Sequence, residues 1–126
     1  MVHVFYSDGN EQRIAWVIQN DDSSFVENRE HVDSYKNKIT NLQSKYVALH
    51  VGLFWGIGTF TIKNEDTVKI KIDAKIMFEQ FTVDSKSEDL FIQKRLRFIK
   101  HLIEQRKLKV EFEMIAQDEN IAKKYI

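Results

Sequence analysis

The chain has 126 residues, 43% of them hydrophobic and nine of them phenylalanine, which suits one domain, residues 1–126, with a core of its own. Its 19 basic and 19 acidic residues balance to a formal net charge of zero, so no overall basic field announces a polyanionic partner. The lack of cysteine excludes disulfide staples, zinc–cysteine clusters and thiol catalysis, and suits a reducing cytoplasm.

The N-terminus lacks the basic start and long apolar run of a signal peptide. No stretch approaches the roughly 18 apolar residues of a membrane span. A soluble cytoplasmic protein without a membrane partner is therefore expected. Val2 to Ser7 alternates like a strand and meets Asp8-Gly9-Asn10, a turn signal. Arg13 to Gln19, with its apolar run Ile14 to Ile18, completes a hairpin, and Ser24 to His31 is a third strand.

Thr40 to Gly56 is the clearest helix, capped by Thr40 or Asn41. Tyr46, Leu49, Leu53 and Ile57 form one stripe, and Val47, Ala48, Val51, Phe54 and Trp55 make the helix apolar nearly all round. Gly52, Gly56 and Gly58 are expected to weaken and then stop it. Thr67 to Ile72 alternates as a strand and runs into Asp73. A short helix follows with Met77, Phe78 and Phe81. Ser85 and Glu88 have capping-box spacing and predict the start of a long helix to about Gln105. Lys107 to Ile115 is a last strand, and the polar tail from Gln117 predicts a further helical turn. The strands joined by short turns form an antiparallel meander, whereas those separated by helices pair in parallel. The fold class expected is α/β: a five-stranded mixed sheet with helices mainly on one face. The alternating lysines and glutamates of the last two strands predict a second face largely open to water.

Val4-Phe5-Tyr6-Ser7-Asp8-Gly9, Lys45-Tyr46-Val47-Ala48-Leu49, Ile70-Lys71-Ile72-Asp73-Ala74 and Glu119-Asn120-Ile121-Ala122 occur in that order across nearly the whole chain. Their order and spacing resemble the ribonuclease H-like family. The resemblance implies hydrolysis of the RNA strand of RNA–DNA hybrids by two divalent ions, Mg2+ or Mn2+. Two such ions stabilise the attacking water and the departing oxygen, and converging carboxylates hold them. By the same resemblance, Asp8 and Asp73 match the first and third acidic positions. Lys45 stands at the second, normally Glu, and Lys123 or Lys124 at the fourth, normally Asp. Asp118 or Glu119 could deputise for the fourth.

Plainer readings accompany each of these. Asp8 suits a turn and Asp73 a helix cap. His50 reads as a packed residue, and His3, His31 and His101 lack metal-ligand spacing. Lys94, Arg95, Arg97, Lys100, Arg106 and Lys107 read as a solvated helix face balanced by Glu88, Asp89 and Glu104. Trp16, Trp55 and the phenylalanines read as core.

Three functions stay open. One is a ribonuclease H-like domain with a degraded metal site, Lys45 pairing with Asp8 and Asp73, little or no nuclease activity, and retained nucleic-acid binding. Another is an active enzyme whose Mg2+ or Mn2+ is held by Asp8, Asp73 and Asp118 or Glu119. The third is a non-catalytic interaction domain whose last strand adds to a protein partner or a second copy in a homo-oligomer.

Overall fold

The computed structural model describes residues 1–83 and 85–126. Strand β1 (Val2–Gly9) pairs antiparallel with β2 (Arg13–Gln19), which pairs antiparallel with β3 (Ser24–Glu30). On its other side β1 pairs in parallel with β4 (Thr67–Ile72), and β4 in parallel with β5 (Lys109–Met114). The sheet order is β3-β2-β1-β4-β5, the mixed five-stranded arrangement expected. Helix α1 (Asn41–Gly58) lies against β1 and β2, and α3 (Leu90–Gln105) lies against α1. The short α2 (Lys75–Thr82) packs on β4 and β5. No helix among the described residues is long and apolar enough to cross a membrane.

The core sits between the sheet and α1. Phe5, Trp16, Ile18, Val68 and Ile70 meet Tyr46, Leu49 and Leu53, all fully buried. Helix α1 starts as expected: the Thr40 hydroxyl accepts the Gln43 amide at 3.0 Å, and the Gln43 side chain accepts the Thr40 amide at 2.9 Å. Gly52 and Gly56 do not stop it, and the helix ends at the third glycine. The helix runs through Gly58 and is capped at Thr59, whose hydroxyl donates to the Trp55 carbonyl at 2.8 Å. Gly52 serves a close approach instead, because a Cβ there would fall 2.7 Å from Phe5 and 2.9 Å from Trp16. One apolar member of the helix, Phe54, is 65% exposed.

Three further expectations are corrected. Helix α3 begins at Leu90, not near Ser85. The Asp89 carboxylate accepts the amides of Phe91 and Ile92 and a bond from Gln43 Nε2, satisfying orphan donors that a Ser85 start would leave Asp89 unable to reach. The turn after β1 begins only at Asn10, whose side chain accepts the Gln12 and Arg13 amides, so Asp8 belongs to the strand, opposite Ala15. The second sheet face is not open along its centre. Ala15 and Val17 are buried there beneath the C-terminal 3-10 turn Ile121–Tyr125, which contributes the buried Ala122. Only the β4–β5 half carries the paired Lys71 and Glu113 and the facing Lys69 and Glu111.

Candidate functional site

Sheet register brings the site together. Tyr6 of β1 lies beside Lys71 of the parallel β4, so Asp8 and Asp73, each two residues further on, reach the same end of adjacent strands. The start of α1 closes over that end. A Cβ at Gly9 would fall 2.7 Å from the carbonyl oxygen of Ser44, so only glycine lets the strand and helix approach this closely. The approach carries Lys45, next in the helix, over the two carboxylates.

Lys45 Nζ donates to Asp8 Oδ1 at 2.7 Å and to Asp73 Oδ1 at 2.9 Å. The two carboxylate side chains are 3% exposed and that of Lys45 18%, so this doubled ion pair is largely removed from water. Burial disfavours the charged ammonium, but its hydrogen bonds and attraction to Asp8 and then Asp73 outweigh that, and its pKa lies above the ordinary lysine value. Each carboxylate accepts one further bond. Asp8 Oδ1 accepts the Gly9 amide at 2.8 Å, and Asp73 Oδ2 accepts Asn120 Nδ2 at 3.1 Å. Asn120 is itself buried, with the same Nδ2 donating to the Ser7 carbonyl and its Oδ1 accepting the Ala122 amide. Beside them lies a cavity of about 10 Å3 lined by Ser7, Lys45, Lys71, Asp73 and Met77, room for about one water molecule.

The other residues of sequence interest lie elsewhere. Lys123 donates to Gln117 and Lys124 sits over the Tyr125 ring, both exposed and neither in contact with the carboxylates. Asp118 is exposed, and Glu119 accepts the Ala116 amide at 2.9 Å. Among the described residues no group of three or more histidine or acidic side chains is arranged to hold a metal. Asn120 is the member that sequence reasoning missed. Its position before a helical turn signals a cap, but its reach to Asp73 depends on the tail folding back across β1. Arg95 is the other, since it turns inward to His50 and Tyr35 instead of joining a solvated face.

Two divalent ions do not fit this donor set. Mg2+ prefers oxygen ligands at 2.0–2.1 Å and bridging carboxylates. Here two carboxylates share an ammonium, and Asn120 turns its Nδ2 donor, not an oxygen, toward Asp73. A dication about 4 Å from Nζ would meet a repulsion of about 8 kcal/mol at an effective dielectric of 20, twice that of a unit pair.

No family model matches the sequence, and no curated protein matches it. Solved structures do match the fold. RNase H1 from the halophilic archaeon Halobacterium salinarum superposes with a TM-score of 0.74 at 14% identity, over 97% of this chain and 91% of that one. The N-terminal RNase H domain of Rv2228c from Mycobacterium tuberculosis gives 0.71 at 20% identity, over 94% and 85%. LC11-RNase H1 in complex with RNA/DNA hybrid gives 0.67 at 15%, over 98% and 91%. The chain therefore has the ribonuclease H fold.

Proposed function

We propose that this chain is a ribonuclease H-like domain in which the Lys45 ammonium takes the place of divalent cations, that it has little or no metal-dependent nuclease activity, and that it retains binding to RNA–DNA hybrid or a related nucleic acid in the cytoplasm. The observation that carries the reading is Lys45 Nζ held 2.7 and 2.9 Å from Asp8 and Asp73. A protein cation fixed between two buried carboxylates neutralises the charge that would otherwise recruit metal. Without metal the fold has no means here of generating hydroxide or neutralising a departing oxygen.

Nucleic-acid binding does not need those ions. Affinity for a duplex comes mostly from cations and backbone amides meeting phosphates. The likeness to LC11-RNase H1, which is bound to an RNA/DNA hybrid, supports a hybrid as ligand. The exposed Lys94 and Arg97 of α3 supply cations for it.

The test pairs cleavage with binding. A labelled RNA–DNA hybrid incubated with Mg2+ or Mn2+ stays uncut, while fluorescence anisotropy at low salt shows saturable binding that weakens as salt rises. Robust turnover that Asp8→Asn abolishes would overturn the catalytic part. Absence of binding to hybrids, duplexes and single strands would overturn the binding part.

A further inference from the structure

Away from Asp8, Lys45 and Asp73, a groove of about 350 Å3 opens between β3, the segment that joins it to α1, and helices α1 and α3. Ile14, Val47 and Val51 give it apolar walls, and Tyr35, His31 and Arg95 line its polar side. Arg29, opposite Ile14 in the β2–β3 register, stands at its rim. The volume is at the lower end of what small-molecule sites enclose, enough for a ring-sized body.

The charges in this groove are uneven. Arg95, half-buried, donates to His50 Nδ1 at 2.9 Å and to the Tyr35 hydroxyl at 2.8 Å, and its guanidinium lies 5.6 Å from the Tyr35 ring centre and 5.5 Å from that of Phe91. Neither of its hydrogen-bond partners carries a negative charge. Nε–H and one hydrogen on each terminal nitrogen remain, since a guanidinium has five donors. Arg29 lies 5.2 Å above the Trp16 ring and has no acidic partner among the described residues. The one acid that lines the groove, Glu30, is shared by Arg13 and Lys36, each at 3.4 Å. His31 adds no negative charge. Its Nε2 lies 3.0 Å from the Asn10 carbonyl and 2.7 Å from the Ser44 hydroxyl, both neutral groups. Burial and the field of Arg95 lower the pKa of His31, and the same two causes lower that of His50. Arg95 thus imposes its charge on its surroundings without an anion among the described residues to meet it. A half-buried cation without a counterion is costly, and a ligand that supplies one removes the cost.

We infer that this groove binds a small organic anion, with a carboxylate or phosphate head against Arg95 and Arg29 and an apolar body against Ile14, Val47 and Val51. The site is separate from the one that carries the proposed function. Its occupation and the hybrid-binding assay can therefore succeed or fail independently.

Amide-detected NMR titrations of the full chain test it with four probes: benzoate, phenyl phosphate, inorganic phosphate and the neutral benzamide. Benzoate or phenyl phosphate produces saturable shifts at Val32, Tyr35, Val47 and Val51, with a dissociation constant on the order of 1 mM for so small a ligand. The stronger of the two identifies the head group. Benzamide and inorganic phosphate each bind at least about tenfold more weakly, because one lacks the charge and the other the body. Arg95→Gln removes binding. That variant also loses the bonds to Tyr35 and His50, so Arg29→Gln provides the second arm. Arg29 is exposed and its side chain makes no hydrogen bond among the described residues, so its replacement confines spectral change to the neighbourhood of Trp16 and weakens binding about threefold, the effect of one rim charge. Three results each overturn the inference: no saturable shift with either organic anion, benzamide or inorganic phosphate binding as tightly as they do, or unchanged affinity in Arg29→Gln.

Discussion

Replacing Lys45 with methionine keeps the stem of the side chain and deletes only the charge between Asp8 and Asp73. Both carboxylates stay 3% exposed, each having lost its nearest cation. Two like charges about 5 Å apart repel by about 3 kcal/mol at an effective dielectric of 20. Breaking a buried pair by removing one partner costs about 3–5 kcal/mol in all. Urea denaturation at pH 7 should therefore show a loss of that size. Mg2+ supplies the missing charge in another form. At about 10 mM, with a dissociation constant near 1 mM, it should return about 1.4 kcal/mol to the variant and leave the parent chain unchanged. Equal stability of parent and variant at pH 7 would refute the account of Lys45 as the internal cation. A parent chain stabilised by Mg2+ as strongly as the variant would refute the exclusion of metal.

Three other outcomes follow from single residues. His31 and His50 have lowered pKa values through burial and then Arg95, so the unfolded chain binds more protons than the folded one just below the ordinary value of 6.5. Their contribution to stability is fully present above about pH 6.5 and is lost as pH falls, and NMR titration should place both imidazole midpoints below 6.5; a midpoint at or above it contradicts the assignment. Gly9→Ala drives a methyl into the Ser44 carbonyl and should cost about 1–3 kcal/mol in thermal melts, with an unchanged melting temperature as the adverse result. Asn120→Leu strips a donor from Asp73 and from the Ser7 carbonyl, and should destabilise by about 2 kcal/mol in urea. A change within experimental error would mean that the C-terminal turn does not hold the site.

What could be read from the sequence was whatever is encoded locally. Thr67–Ile72 was delimited to the residue, because alternation of valine and isoleucine with lysine admits one register. The meeting of Asp8 with Asp73 was legible because one lies near the end of β1 and the other just after β4, and the helix between those strands favours their parallel pairing. The errors lie where distant segments decide. Gly52 reads as a helix breaker until Phe5 and Trp16 are seen against it. The second sheet face reads as open from the last two strands, until a polar tail more than 100 residues after Ala15 and Val17 covers those two. Ser85 and Glu88 have the spacing of a cap, yet Asp89 also reaches Gln43 on another helix, a contact that no local pattern contains.

A lysine at position 45 differs in kind from a neutral residue there. A neutral residue there would leave Asp8 and Asp73 repelling each other in a poorly hydrated pocket, a cost that would press either for metal or for loss of the acids. Lysine answers the same electrostatic demand from within the chain, which explains how two buried carboxylates are tolerated side by side at the ends of β1 and β4. The arrangement also makes the two halves of the pair mutually dependent. With Lys45 in place, exchanging Asp8 for asparagine removes one of two acceptors and leaves the ammonium one carboxylate; with methionine at 45, the same exchange removes a repulsion. Asp8→Asn should thus destabilise the parent chain and stabilise the Lys45→Met background. That reversal of sign, read from a double-mutant cycle in urea, distinguishes an ion pair that sustains the site from charges that merely lie close together.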